Sequence, residues 1–177
     1  MTSYQRILVP IDGSPTSTRG LDEAIGVAKL TGASLRLLHV MDELEFVSGF
    51  ESGASYAKEV VPKLRRRAAL VLEAGRKRAE AAAVAVDTLL VECFARRTCE
   101  IVCEEALAWK ADLIVAGTHG RRGVRRMMLG SDAEQIARTA PVPILLVRAP
   151  EDQIAEPAAA ADGRASTTAA AKAVAAV

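Results

Sequence analysis

The chain has 177 residues, half of them hydrophobic, with a formal net charge of +1. That length allows one well-buried core, while a near-neutral balance gives no electrostatic reason to invoke a nucleic-acid or membrane partner. Aromatics make up only 3% of the chain, so the core has to be aliphatic and bases would find few rings to stack on.

Apolar runs alternate with longer helical patterns, the signature of a parallel α/β sheet. Arg6 to Ile11 (RILVPI) reads as a first strand, continuous in its apolar character as strands covered on both faces are. Asp12 follows at the strand end. Ser14 and Pro15 then supply an N-cap and a first-turn proline for a helix expected to reach about Leu30 and stop at Gly32. Ser34 to Met41 is the second strand, and Asp42 to Tyr56, with Gly, Ser and acidic residues in no sustained period, reads as a mobile connection or lid. A long helix is expected from about Ala57 to Val84, its regular part starting at Pro62. Val86 to Glu92 is the third strand, Thr98 to Lys110 the third helix, Asp112 to Ala116 the fourth strand, Ser131 to Thr139 the last helix and Val142 to Val147 the fifth strand. The reading is one domain over residues 1–149, without internal repeats, and a disordered Ala-rich tail over 150–177.

Between the fourth strand and the last helix lies GTHGRRGVRRMMLGS, from Gly117 to Ser131. It reads as a phosphate-binding loop. Glycines let backbone N–H groups approach an anion, a helix N-terminus adds a favourable field, and Arg121, Arg122, Arg125 and Arg126 supply fixed positive charge. Gly117, Gly120 and Gly130 also suit plain turns, and Ser131 with Glu134 suits a capping box. Turns alone leave the four crowded arginines without a reason. Asp12, past the C-terminal end of a strand where open α/β sheets bind ligands, offers an acceptor for ribose hydroxyls or an adenine amino group; its plainer role is to shape the Asp-Gly-Ser-Pro turn. His119 lies inside the loop and His39 inside a strand; a lone histidine in either place is usually solvated or structural.

Cys93, Cys99 and Cys103 form an odd set without a C-x-x-C pair, so neither a disulfide framework nor a zinc knuckle is indicated. Arg65 to Arg67, Arg76 to Arg78 and Arg96 with Arg97 read as solvated faces. No segment reaches the ~20 apolar residues of a membrane helix, and no secretory leader is visible, so a cytoplasmic location is expected.

The ordered set of first strand with Asp12, glycine loop, Gly130-Ser131 and closing strand Pro141 to Val147 resembles the universal stress protein family, over Tyr4 to about Arg148. The resemblance implies a Rossmann-like α/β fold: a five-stranded parallel open sheet in the order 3-2-1-4-5 with helices on both faces. It implies ATP, with Mg²⁺, as ligand, and Pro10, Ile11, Asp12, Val40, Gly117, Thr118, His119, Gly120, Arg121, Gly130 and Ser131 as the residues around it, with the backbone of Val40 meeting the adenine edge. It further implies a homodimer through the fifth strand, an unidentified protein partner, and a regulatory role in stress response with at most slow ATP hydrolysis. A competing reading is a slow ATP-hydrolysing or nucleotide-transferring enzyme on the same fold. Related adenylating enzymes carry a Ser-Gly-Gly-x-Asp-Ser loop and nucleotidylyl transferases a His-x-x-His motif after the first strand, where this chain has Asp12-Gly-Ser-Pro15. The chain departs from the family pattern at Glu92 to Arg97, where many members place glycine and proline.

Overall fold

In a computed structural model, residues 4–42, 58, 60–93, 96–118 and 129–148 are described. Strands β1 (Arg6–Pro10), β2 (Ser34–Asp42), β3 (Val86–Cys93), β4 (Leu113–Gly117) and β5 (Ile144–Val147) alternate with helices α1 (Pro15–Thr31), α2 (Val61–Ala81), α3 (Thr98–Ala108) and α4 (Ser131–Thr139). The sheet runs β3-β2-β1-β4-β5 with every neighbouring pair parallel. β1 is central, with Ile7 opposite Leu35 on one side and Leu113 on the other.

The strand period of two sends alternate side chains to opposite faces. Ile7, Val9, Leu35 and Leu37 pack with Leu21, Ala24 and Ala28 of α1 and Leu72 and Ala79 of α2. Leu8, Leu38 and Ile114 pack with Ile101, Val102 and Ala106 of α3 and Ile136 of α4. Two aliphatic layers result, each closing one face of the sheet, and each fully buried Leu or Ile contributes ~1.5–3 kcal/mol. α1 forms where the sequence places its signals: Ser14 Oγ accepts from the Ser17 amide at 3.1 Å, Pro15 opens the helix, and Gly32, at φ 78°, closes it by donating its N–H to Ala28 O.

Two helices stop sooner than expected, at Ala81 rather than Val84 and at Ala108 rather than Lys110. Each ends in a pair of back-directed bonds: Val84 N to Ala79 O with Ala83 N to Glu80 O, and Ala111 N to Ala106 O with Lys110 N to Leu107 O. The residue at the turn is left-handed in both, Ala83 at φ 58° and Lys110 at φ 56°. These are Schellman closures built without the usual glycine, so the composition gives no stop. β4 likewise starts at Leu113, because Asp112 serves the strand beside it: its carboxylate accepts from the amides of Gln5 (2.7 Å) and Arg6 (3.1 Å).

The arginine groups are largely spent on the surface. Arg65 forms a bidentate pair with Glu92 at 2.6 and 2.7 Å, linking α2 to β3; Arg76 bonds Glu73 and Glu80, Arg78 bonds Asp22, and Arg96 bonds Glu104. Arg36 on β2 pairs with Asp87 opposite it on β3 and with Glu105 of α3, and lies 4.7 Å over the Trp109 ring. The Asp87 carboxylate, ahead of Glu105, holds the Arg36 guanidinium more firmly protonated than usual. None of the described helices is long and apolar enough to cross a membrane.

Candidate functional site

Because all five strands are parallel, their C-terminal ends share one edge of the sheet. β1 and β4 are neighbours there, yet the helices that follow them leave to opposite faces, α1 with the Ile7 layer and α4 with the Leu8 layer. A crevice opens at such a switch of direction.

On the β1 side, the chain leaves the ladder at Ile11, whose amide still donates to Leu38 O at 2.8 Å. The next peptide unit is held at both ends. Its carbonyl, Ile11 O, lies 2.7 Å from His39 Nδ1, and its N–H, on Asp12, donates to Ser17 Oγ at 3.3 Å. Asp12 Oδ1 then accepts from Ser14 N at 2.9 Å, an Asx turn that orients the carboxylate. Gly13 turns the chain at φ 80°, and a Cβ there would stand 2.9 Å from Val71 Cγ2. The register Pro10↔Leu38 places Val40 level with this turn, half-buried and opposite Val91 on β3. Pro10 is half-buried, and the Ile11 side chain lies in the core beneath α1 and α2, so only its backbone belongs to the edge. A groove of about 360 Å³ between α1 and α2, floored by Ile11, Leu21 and Val71, is a separate depression that excludes Asp12, Val40 and Gly117.

On the β4 side, α1 packs closely on the sheet at Gly117. A Cβ on Gly117 would stand 3.0 Å from the backbone C and O and the Cγ2 of Thr16, and one on Gly20 would stand 3.4 Å from Gly117 N. Thr118 N donates to Val147 O at 2.8 Å, and Thr118 O accepts from Gly130 N at 2.9 Å. The two ends of the glycine loop are therefore clasped together above β4 and β5. Residues His119, Gly120, Arg121, Arg122, Arg125 and Arg126 lie outside the described residues, as do residues 43–56 of the expected lid, whose first residue, Asp42, instead ends β2, and the tail from 149 onward.

The start of α4 differs from the expected capping box. Gly130, extended at φ −62° and ψ 146°, is the N-cap, and Ser131 is already the first helical residue. The N-cap residue supplies no side-chain cap: Glu134 N returns to Gly130 O at 2.8 Å, and its carboxylate pairs with Arg138 at 2.8 Å. A negative φ suits any residue, so the glycine at 130 is not needed for conformation. A glycine N-cap brings no side chain of its own to the first turn, which is the positive end of the helix, with Asp132 and Glu134 in the same turn.

The structure thus brings together Pro10, Ile11, Asp12, Val40, Gly117, Thr118, Gly130 and Ser131 at one edge. His39, which sequence alone gives no special place, joins them: it is 5% exposed and hydrogen-bonded to the turn before Asp12. A polar residue inside an otherwise apolar strand needs a partner, and that was the available signal. Cys99 is buried, its thiol pushed up by desolvation, and Cys103 Sγ lies 3.4 Å from Thr139 Oγ1. Among the described residues no group of three or more His, Cys, Asp or Glu side chains could hold a metal ion.

Comparison with known proteins gives the family. Residues 3–148 match the Universal stress protein family. A universal stress protein of Methanocaldococcus jannaschii is 35% identical over 151 residues, 85% of each chain. The structure of universal stress protein UspA from Lactobacillus plantarum superposes with a TM-score of 0.71 at 25% identity, over 84% of this chain and 100% of that one. A universal stress protein in complex with cAMP superposes with a TM-score of 0.58 at 26% identity, over 83% of this chain and 98% of that one. With the strand order, the Asp12 turn and the clasped glycine loop in place, the chain belongs to the universal stress protein family.

Proposed function

We propose that this protein binds an adenine nucleotide, ATP with Mg²⁺, in the crevice between the ends of β1 and β4, and that binding serves a regulatory role. One observation supports the reading above the rest: the Thr118–Gly130 clasp holds the start of α4 at the end of β4, the neighbour in the sheet of β1, whose own end carries the oriented carboxylate of Asp12. The two features suit opposite ends of one ligand. A carboxylate accepts from ribose hydroxyls or an adenine amino group and repels phosphate, while helix amides and the loop arginines attract it. The cAMP complex of a similar universal stress protein supports an adenine nucleotide as the ligand class.

Mg²⁺ is bound by few protein carboxylates and keeps most of its shell from water and phosphate. A site without a carboxylate cluster among its described residues fits that mode, with the ion carried by the phosphates. Asp12 stays at the nucleoside end. Arg121 and its neighbours neutralise phosphate charge, Gly120 lets the loop backbone come close, and His119 lies within the same loop. In this reading the stretch from Asp42 to Tyr56, which follows Val40 in the chain, is the element that closes over the nucleotide, and two copies pair through β5.

Calorimetry with ATP and AMP tests the reading. ATP binds more tightly, because the loop arginines have no partner in adenosine. Each charge-assisted contact is worth ~1.5–3 kcal/mol, so removing two contacting arginines costs well over tenfold. Replacing Gly120 and Gly130 together by Val abolishes binding without unfolding. Equal affinity for the two nucleotides, or unchanged affinity in the folded double variant, refutes the site. The enzyme alternative gains ground only if turnover exceeds ~1 s⁻¹ and one substitution abolishes it.

A further inference from the structure

We propose that His39 is a positioning residue for the nucleotide, acting through the peptide unit that carries Asp12; the assignment rests on the nucleotide reading above. The Ile11 carbonyl is the first beyond the end of β1, and it is His39, from the neighbouring strand, that meets it at 2.7 Å. A carbonyl only accepts, so the ring nitrogen facing it carries the proton, and the imidazole donates. Both the Nδ1–H neutral tautomer and the cation keep that donor.

The consequence lies one bond further along. The carbonyl of Ile11 and the N–H of Asp12 belong to one planar unit, which cannot rotate without moving both. His39 pins the first from β2, and Ser17 Oγ pins the second from α1. Ser17 Oγ is itself tied to Ser14 O at 3.1 Å, and Ser14 N holds the Asp12 carboxylate. Take away the imidazole and the unit loses the shorter of these two bonds and keeps the longer, 3.3 Å, while a carbonyl 6% exposed with its residue loses a donor. The direction of the Asp12 carboxylate is then no longer set from the β2 side. Because the Asp12 carboxylate serves the nucleoside and not the phosphates, the loss falls equally on mono- and triphosphate.

The test compares His39→Leu with His39→Asn. The Asn amide nitrogen sits on Cγ, as Nδ1 does, and restores a donor at the same distance from the backbone. His39→Leu is expected to weaken AMP and ATP by the same factor, about tenfold, as loss of one positioned hydrogen bond gives, and His39→Asn to recover most of it. In an Asp12→Asn background, His39→Leu should cost less than about threefold, because residues acting as one unit do not add. A purely structural histidine predicts otherwise: a lowered Tm, but affinity unchanged well below it. Affinity within about twofold of wild type in folded His39→Leu, or full additivity with Asp12→Asn, overturns the assignment. If the Leu variant does not fold, His39→Gln replaces it, since its donor sits one bond too far; equal affinity of the Gln and Asn variants then overturns the assignment. Failure of the wild-type protein to bind either nucleotide overturns the site reading and this assignment together, whereas binding with additive losses overturns this assignment alone.

Discussion

Three glycines of α1 and β4 separate close packing from intrinsic propensity, because the space around them differs. Gly26, in the middle of α1, has nothing within 4 Å of a built Cβ. Alanine there gains helix propensity alone, ~0.5–1 kcal/mol. Gly117 is the opposite case: its Cβ would meet the Thr16 backbone carbonyl carbon and oxygen at 3.0 Å, and backbone cannot rotate aside as a side chain can. Overpacking of this kind costs ~1–3 kcal/mol, offset by ~0.4–1 kcal/mol from the stiffer unfolded chain, which leaves a net loss of about 1–2 kcal/mol. At roughly 2–4 °C per kcal/mol for a domain of this size, Gly26→Ala should raise Tm by about 1–4 °C and Gly117→Ala lower it by about 2–8 °C. Gly20, whose nearest contact would be 3.4 Å, should fall between them. Thermal melts by circular dichroism rank the three, and urea midpoints check the ranking. If nucleotide binds where proposed, Gly117→Ala also weakens it, because the strain displaces the first turn of α1 relative to Thr118. A Gly117→Ala protein as stable as wild type would refute the argument that α1 is seated on the end of β4.

Glu92 is held below the ordinary carboxyl value of 4.5 by its bond to Arg65, so the pair adds stability above that value and loses it as pH falls through the lowered one. With the Arg65 side chain 56% exposed, the difference between wild type and Glu92→Gln should be under ~1 kcal/mol at neutral pH and shrink below pH 4.5; a difference that grew on acidification would contradict it. If β5 pairs with its copy, Leu145→Lys should convert a dimer to a monomer by light scattering at micromolar concentration, since Leu145, 38% exposed, lies on β5, the edge strand among the described residues. A wild-type monomer would remove that proposal.

The sheet was legible because its strands are apolar on both faces and its turns are built from residues with one obvious use. Ser14, Pro15 and Gly32 bracket α1 as their chemistry dictates. Where the local residues had two uses, the sequence misled. Ala83 and Lys110 are helix formers that adopt left-handed turns, since Val84 and Ala111 have to return to the core and their amides close the helices behind them. Asp112 extends the apolar run of β4 on paper, but its carboxylate serves the backbone of β1.

The site divides in the same way. Asp12 and the glycine pattern were readable because each departs from what a plain strand or loop needs. The capping box at Ser131 was an equally regular pattern, yet the chain is extended at Gly130 and enters the helix one residue earlier, so the serine falls inside the first turn. That shift matters for the chemistry. A serine cap would have occupied a first-turn amide that the proposed phosphate requires. His39 shows the converse limit, because nothing in its neighbours on the chain points to Ile11; only the pairing of β1 with β2 brings the imidazole to the carbonyl. Functional geometry of this kind is carried by register. A slip of one residue between the two strands would turn His39 to the other face of the sheet and leave the Asp12 peptide without its anchor, although every local signal in the sequence would be unchanged.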